Sequence, residues 1–237
     1  MLLTRNSKIR KSKKRTFNFG IPAFLSTSGL KTCPNAGACA KGCYALAGAY
    51  RFSTVAQAFE RRLAVTQNAD FVPLMLREID LNRAERIRIH DSGDFYSEEY
   101  LDAWLAIVKA RPQVEFYAYT KMVSLFNRRK RDIPKNFVVI YSFGGTEDKL
   151  IDVTKDRHSL VFTSLQSLKR AGYANASEQD DVALGSNPCI GLVYHGIKNV
   201  ENTDWNKVVE LQKKEKKHGI HSLLDNEKGK ARTKHAA

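Results

Sequence analysis

Two rhythms alternate along this chain. Ile87 and Ile89 are separated by Arg88 and followed by His90, the period-two pattern of a strand with one buried face. Strands are also predicted at 114–119, 137–142 (where Phe137–Tyr141 is an apolar run of strand length), 159–163 and 190–194, and a short one around 17–19. Between them the spacing is helical. Val55, Ala56, Phe59, Leu63 and Val65 mark a helix that Ser53 or Thr54 would cap. Asp70 would cap a second one, with Leu74, Ile79 and Leu81 on its apolar face and Pro73 tolerated in the first turn. Ser97 is expected to cap a third, with Glu98 and Glu99 where the helix dipole favours acids. Leu101, Trp104, Leu105 and Val108 form its buried stripe, and Pro112 stops it. Shorter helices are expected at 123–131, 147–153 and 164–171. A last helix starts at Asp204 and carries Trp205, Val208, Val209 and Leu211.

Strands that alternate with helices argue for an α/β fold with a parallel sheet and helices outside it. An open doubly wound sheet and a full or partial barrel both satisfy that order. In either, the chemistry is expected in loops at the C-terminal ends of the strands. Those loops hold residues 91–94, Thr120 and Lys121, 142–145, and Ser164.

Composition narrows the class. At 237 residues with 43% hydrophobic positions, the chain suits one domain with a proper core. No stretch approaches the ~18 apolar residues of a membrane helix, and no apolar segment follows the basic start as in a secretory signal. The cytoplasm is therefore the expected compartment, where thiols stay reduced and cysteines serve something other than disulfides. The formal net charge is +14. Part of it is local. Residues 1–15 read as a flexible basic arm and 223–237 as a flexible basic tail, with the α/β domain at 16–222. Basic tails can contact nucleic acid, and equally they can be solvated ends that keep a protein soluble.

The chain has 4 cysteines. Cys33, Cys39 and Cys43 share one loop whose spacers are Pro34, Asn35, Gly37, Gly42 and alanines; Cys189 lies far away. Small spacers let a loop wrap a centre and aim amide hydrogens at it. Three readings compete: an iron–sulfur cluster, a zinc ion and buried inert thiols. A structural zinc usually includes a tight C-x₂-C pair, which is absent here. Core cysteines have no reason to gather in a Gly/Ala/Pro loop. A [4Fe–4S] cluster held by Cys33, Cys39, Cys43 and Cys189 is the expectation. With Cys189 as a ligand it would be fully thiolate-bound; without it, one iron is open. His90 and His195 are further candidates for the fourth position.

The motif Thr32-Cys33-Pro34, Cys39, Cys43-Tyr44-Ala45, with Gly48 and Tyr50, resembles the phage gene product eighty-eight family. So do Arg88-Ile89-His90-Asp91-Ser92-Gly93-Asp94-Phe95 and Phe116-Tyr117-Ala118-Tyr119-Thr120-Lys121. More distantly, the chain looks like a radical S-adenosylmethionine enzyme. That resemblance implies a partial (β/α) barrel with the cluster at its mouth. It also implies that Ser92, Gly93 and Asp94 form the turn that holds the amino group of S-adenosylmethionine. The cysteine spacing here is C-x₅-C-x₃-C where those enzymes have C-x₃-C-x₂-C, and Cys189 is additional.

Three functions follow as expectations. The first is an iron–sulfur protein with a redox or structural role and an electron-transfer partner. The second is a radical enzyme that uses S-adenosylmethionine. The third is a nucleic-acid-binding protein whose metal is structural. No phosphate-loop, zinc-protease or nucleophile-elbow motif occurs in a fitting context.

Overall fold

The structure, a computed structural model, describes residues 1–46, 48–162 and 164–194. His195, the helix expected from Asp204 and the tail at 223–237 lie outside the described residues. Among those described, seven strands form one sheet: β1 (Thr16–Phe19), β2 (Arg86–Ile89), β3 (Glu115–Thr120), β4 (Phe137–Ser142), β5 (His158–Phe162), β6 (Ala174–Asn175) and β7 (Cys189–Val193). Their order is β1-β2-β3-β4-β5-β7-β6, and every pairing is parallel. The sheet curls into a half-barrel, so the partial-barrel form of the α/β expectation holds and the flat doubly wound form does not.

The described α-helices are α1 (Ser7–Arg10), α2 (Ser53–Thr66), α3 (Phe71–Leu81), α4 (Glu98–Ala110), α5 (Val123–Arg128) and α6 (Leu165–Arg170); α3 to α6 pack on the outer face, while α1 reaches Asp180 through Lys8. The Ser97 hydroxyl accepts the Tyr100 amide and caps α4 as its sequence predicts. Two other caps differ. Phe52 precedes α2, which puts Ser53 inside the helix, and Asp70 adopts helical backbone without a capping bond. The outer core is aromatic. The Phe19 ring meets Trp104 edge-on at 5.3 Å, Phe71 meets Trp104 at 5.4 Å, and Phe95 meets Phe126 at 5.0 Å. Such contacts add to what area burial alone supplies.

The inner face is lined by the alternate residues of each strand. Tyr117, Ile140 and Ile190 pack there with Ala176 and Ala183, so the segment after β6 folds back into the half-barrel. This return, with β6 and the 3-10 turn Asp180–Leu184, has too little periodicity to be read from sequence.

The stretch expected to be a flexible arm is packed. Leu2, Leu3 and Ile9 are buried, and Thr4 exchanges backbone hydrogen bonds of 2.9 and 2.8 Å with Asn18 on the free edge of β1. Lys8 pairs with Asp180 at 2.6 Å, and the Lys13 amide and Ser12 hydroxyl bond Asp181 at 2.9 and 2.7 Å. The physical reason is interleaving. Apolar residues alternate with the charges, the buried Asp180 takes the Lys8 cation, and the half-buried Asp181 accepts from Ser12 and Lys13. Among the described residues, no helix is long and apolar enough to cross a membrane.

Candidate metal centre

In a parallel sheet, every strand's C-terminal end points to one rim. The cysteine loop follows β1 and crosses that rim. Thr32 anchors it: its hydroxyl donates to the Pro22 carbonyl at 2.6 Å, and its carbonyl accepts the Asp94 amide at 3.0 Å. The amides of Gly37 and Cys39 then donate to the Gly144 carbonyl at 3.2 and 3.1 Å, and Thr146 donates to the Asn35 carbonyl at 3.0 Å. At the far end the Tyr44 hydroxyl donates to the Asp91 carbonyl. The loop is thus tied to the ends of β2 and β4.

Glycine is required at its closest approach. A Cβ on Gly37 would lie 2.9 Å from the Gly145 backbone, and Gly144 has φ +101°. The Gly144-Gly145 turn is held in turn by Asp148, whose carboxylate accepts both glycine amides at 2.8 Å.

The three loop thiols are half-buried and form no disulfide. Burial pushes Cys33 up to about 12, with the Asp94 carboxylate adding to it; the Phe24 amide, 3.4 Å from Sγ, opposes. Burial also raises Cys39, against the Lys121 ammonium, and raises Cys43, against the Ala45 amide. Thiols held protonated in this way make poor nucleophiles. A metal that displaces their protons is what would ionise them. Among the described residues, no three His, Cys, Asp or Glu side chains converge closely enough to hold a single metal ion.

Cys189 is elsewhere. It is the first residue of β7, paired with His158 at the start of β5, and it packs on the outer face against the cluster of Phe162, Leu168 and Tyr173. The loop thiols crown the opposite rim. The expectation that Cys189 completes their ligand set is therefore corrected, because strand direction separates the two. His90 is also no ligand. It has φ 65° and turns outward between Phe95 and Tyr100, with Nε2 2.9 Å from the Tyr100 hydroxyl. Burial, then Arg88, pushes it down to about 3.

The turn after β2 sits where the sequence puts it. Asp94, however, is fully engaged: Oδ1 accepts the Thr120 hydroxyl at 2.6 Å and the Phe95 amide at 2.8 Å, and Oδ2 accepts the Lys121 amide at 2.9 Å. It clamps the end of β2 to that of β3. Gly93 has φ +84°, and a Cβ there would meet Ile21 at 2.3 Å. Asp91 is different. Its Oδ2 accepts from Asn18 at 2.7 Å, while its Oδ1 and the Ser92 hydroxyl are buried without a hydrogen-bond partner.

The conformation of the cysteine loop and of this turn joins the two segments whose motifs resemble one phage family. A family model described as Gene product 88 matches residues 1–233. The chain belongs to the Gene product 88 family. Two relatives are each named Gene 88 protein. That of Mycobacterium phage L5 is 32% identical over 107 residues, and that of Mycobacterium phage D29 is 29% identical over 103. Each match covers 38% of this chain and 43% of the relative, so the chain spans under half the length of the relatives it matches. No solved structure matches it. Within this Gene product 88 chain, sequence reasoning counted Gly37 only as a small spacer and Tyr44 only as part of the loop motif, and passed over Asp148. Gly37 had a signal, a glycine between two cysteines. Asp148 had none, since its role depends on the turn it closes.

Proposed function

We propose that this Gene product 88 protein holds one [4Fe–4S] cluster through Cys33, Cys39 and Cys43, with one iron left open to a small molecule. One observation carries the reading. Three thiols share a glycine-seated loop over the rim of a parallel half-barrel, and the fourth cysteine packs on the outer face at the other end of its strand. Thiolates that bind separate irons of a cluster need not converge on a point, as the ligands of a single ion must. When bound, such a cluster passes single electrons, and an iron without a thiolate can take a ligand.

S-adenosylmethionine is the ligand we propose for that iron, from the resemblance to radical enzymes. The carboxylate of the turn open to its amino group is Asp91 rather than Asp94, because the Asp94 oxygens already accept three bonds. Ser92 would add its buried hydroxyl. Gly93 keeps the turn tight against Ile21. From the kinship with phage proteins, we read the chain as phage-encoded and at work in the reducing cytoplasm of a host, with an electron donor as partner.

Anaerobic purification followed by iron and sulfide analysis tests the cluster. Equal iron and sulfide, near four of each per chain as a cubane requires, supports it; a colourless protein with one zinc overturns it. Electron paramagnetic resonance of the reduced protein tests the ligand. A signal that changes on adding S-adenosylmethionine supports the open iron, and an unchanged one leaves only redox or structural roles.

A further inference from the structure

The inner face of the sheet carries a second set of polar groups, which the thiol loop does not use. Register passes this face from strand to strand. Asn18 is level with Arg88 and Tyr117, Tyr119 with Ile140, and Ser142 with Ser159 and Ile190. Since Tyr117, Ile140 and Ile190 share one buried cluster, Tyr119, Ser142 and Ser159 face the same way. The Arg88 guanidinium lies over the Tyr119 ring, 5.2 Å from its centre. Lys121, one residue past β3, bends onto this face and donates from Nζ to the Ser142 hydroxyl at 2.9 Å.

Several of these groups are buried without a hydrogen-bond partner: Arg88 Nε, the Tyr119 hydroxyl, the Ser159 hydroxyl and Asn18 Oδ1. Each such group costs about 1–3 kcal/mol when left unsatisfied. They are mostly donors. Of the neighbouring acids, Asp180 is held by Lys8, Arg88 and the Tyr117 hydroxyl. Asp91 accepts from Asn18 through Oδ2 and keeps Oδ1 without a hydrogen-bond partner at the β2 turn. Toward the other rim, Glu115 is held by Lys14 and Arg86. Around Tyr119 and Ser159, what remains is rich in N–H and O–H and lies beside the Arg88 and Lys121 cations. A ligand that offers acceptors and negative charge satisfies it; a cation or an apolar group does not.

We propose that the inner face near the rim binds the anionic group, a carboxylate or a phosphate, of a small molecule. The hydroxyls of Tyr119 and Ser159 would be its direct donors, with Arg88 and Lys121 supplying positive charge. The proposal goes beyond the thiol site and does not depend on what metal the loop carries. The donors stand on strands rather than loops, so the site is built into the fold and needs no closing segment.

The test uses the full chain and two probes, inorganic phosphate and malonate, titrated by calorimetry. The wild type is expected to bind at least one: phosphate alone identifies a phosphate site, malonate alone a carboxylate site, and both a general anion site. The double variant Tyr119→Phe/Ser159→Ala should bind about ten-fold or more weakly, as loss of hydrogen bonds to a charged group predicts. Its ligand-free melting temperature should be unchanged or raised, because two unsatisfied buried hydroxyls are gone. Lys121→Met, on a half-buried side chain, should weaken binding similarly and guards against a double variant that fails to fold. Binding of neither probe overturns the proposal. So does binding by both variants as tight as by the wild type, whatever their melting temperatures.

Discussion

The amide of Cys39 donates to the carbonyl of Gly144 at 3.1 Å. The middle thiol of the loop is thus seated on the turn that ends β4, more than a hundred residues on. Gly37 shares the same carbonyl, and Asp148 fixes the turn from below. This seat is what gives a small, glycine-rich loop one conformation.

Gly37→Ala should unseat it. The new Cβ would meet backbone, not a pliable side chain, at 2.9 Å. A cost of about 1–3 kcal/mol is expected. Iron retained after anaerobic reconstitution should fall sharply while far-UV circular dichroism is preserved. Full iron retention would show that the seat is dispensable.

Cysteine variants should divide in two. Cys33→Ser, Cys39→Ser and Cys43→Ser are each expected to lose most bound iron. Cys189→Ser should keep it, since that residue packs with Phe162, Leu168 and Tyr173. Iron analysis on the four proteins side by side checks this. Loss of iron from Cys189→Ser would place it among the ligands after all.

Asp94→Asn should destabilise the protein by about 1–3 kcal/mol in urea denaturation. An amide NH₂ cannot accept from both sides of the clamp that the two carboxylate oxygens now form with Thr120, Phe95 and Lys121. A variant of unaltered stability would argue that the carboxylate is there for a ligand alone.

Lys8→Met removes one of the cations from Asp180, whose side chain is 1% exposed. Arg88 and Tyr117 remain, so the expected cost is below the ~3–5 kcal/mol of a fully stripped buried charge, about 1–3 kcal/mol. A free arm would give no change in the urea midpoint.

His90 sets a pH dependence. Its folded value, about 3, lies below the ordinary 6.5, so below that ordinary value the unfolded chain binds a proton that the native state does not. Stability should therefore fall as pH drops from 6.5 toward 3, by about 2 kcal/mol down to pH 5. His90→Asn tolerates the positive φ and should reduce the slope between pH 6.5 and 5 whatever its own stability; the buried His158, whose value burial also lowers, keeps part of it. An unchanged slope would assign the effect to other groups.

Much of the scaffold was written locally. The short apolar run Phe137–Tyr141 and the Ser97 cap with its two glutamates read directly into β4 and α4, because strand-length runs and helix periods are properties of neighbouring residues. The three-cysteine loop with its small spacers was equally visible. Only the tertiary structure decided the rest. Which face and which end of a strand Cys189 occupies depends on strand direction and pairing. That the acid of the β2 turn is spent at Asp94 and open at Asp91 depends on what β1 and β3 bring alongside. That a run of lysines packs down to reach Asp180 and Asp181 depends on a return segment 170 or so residues away in a chain of 237. Periodicity reports how a residue relates to its neighbours in sequence. These outcomes were set by long-range satisfaction of buried charge and hydrogen bonds, which no local pattern records.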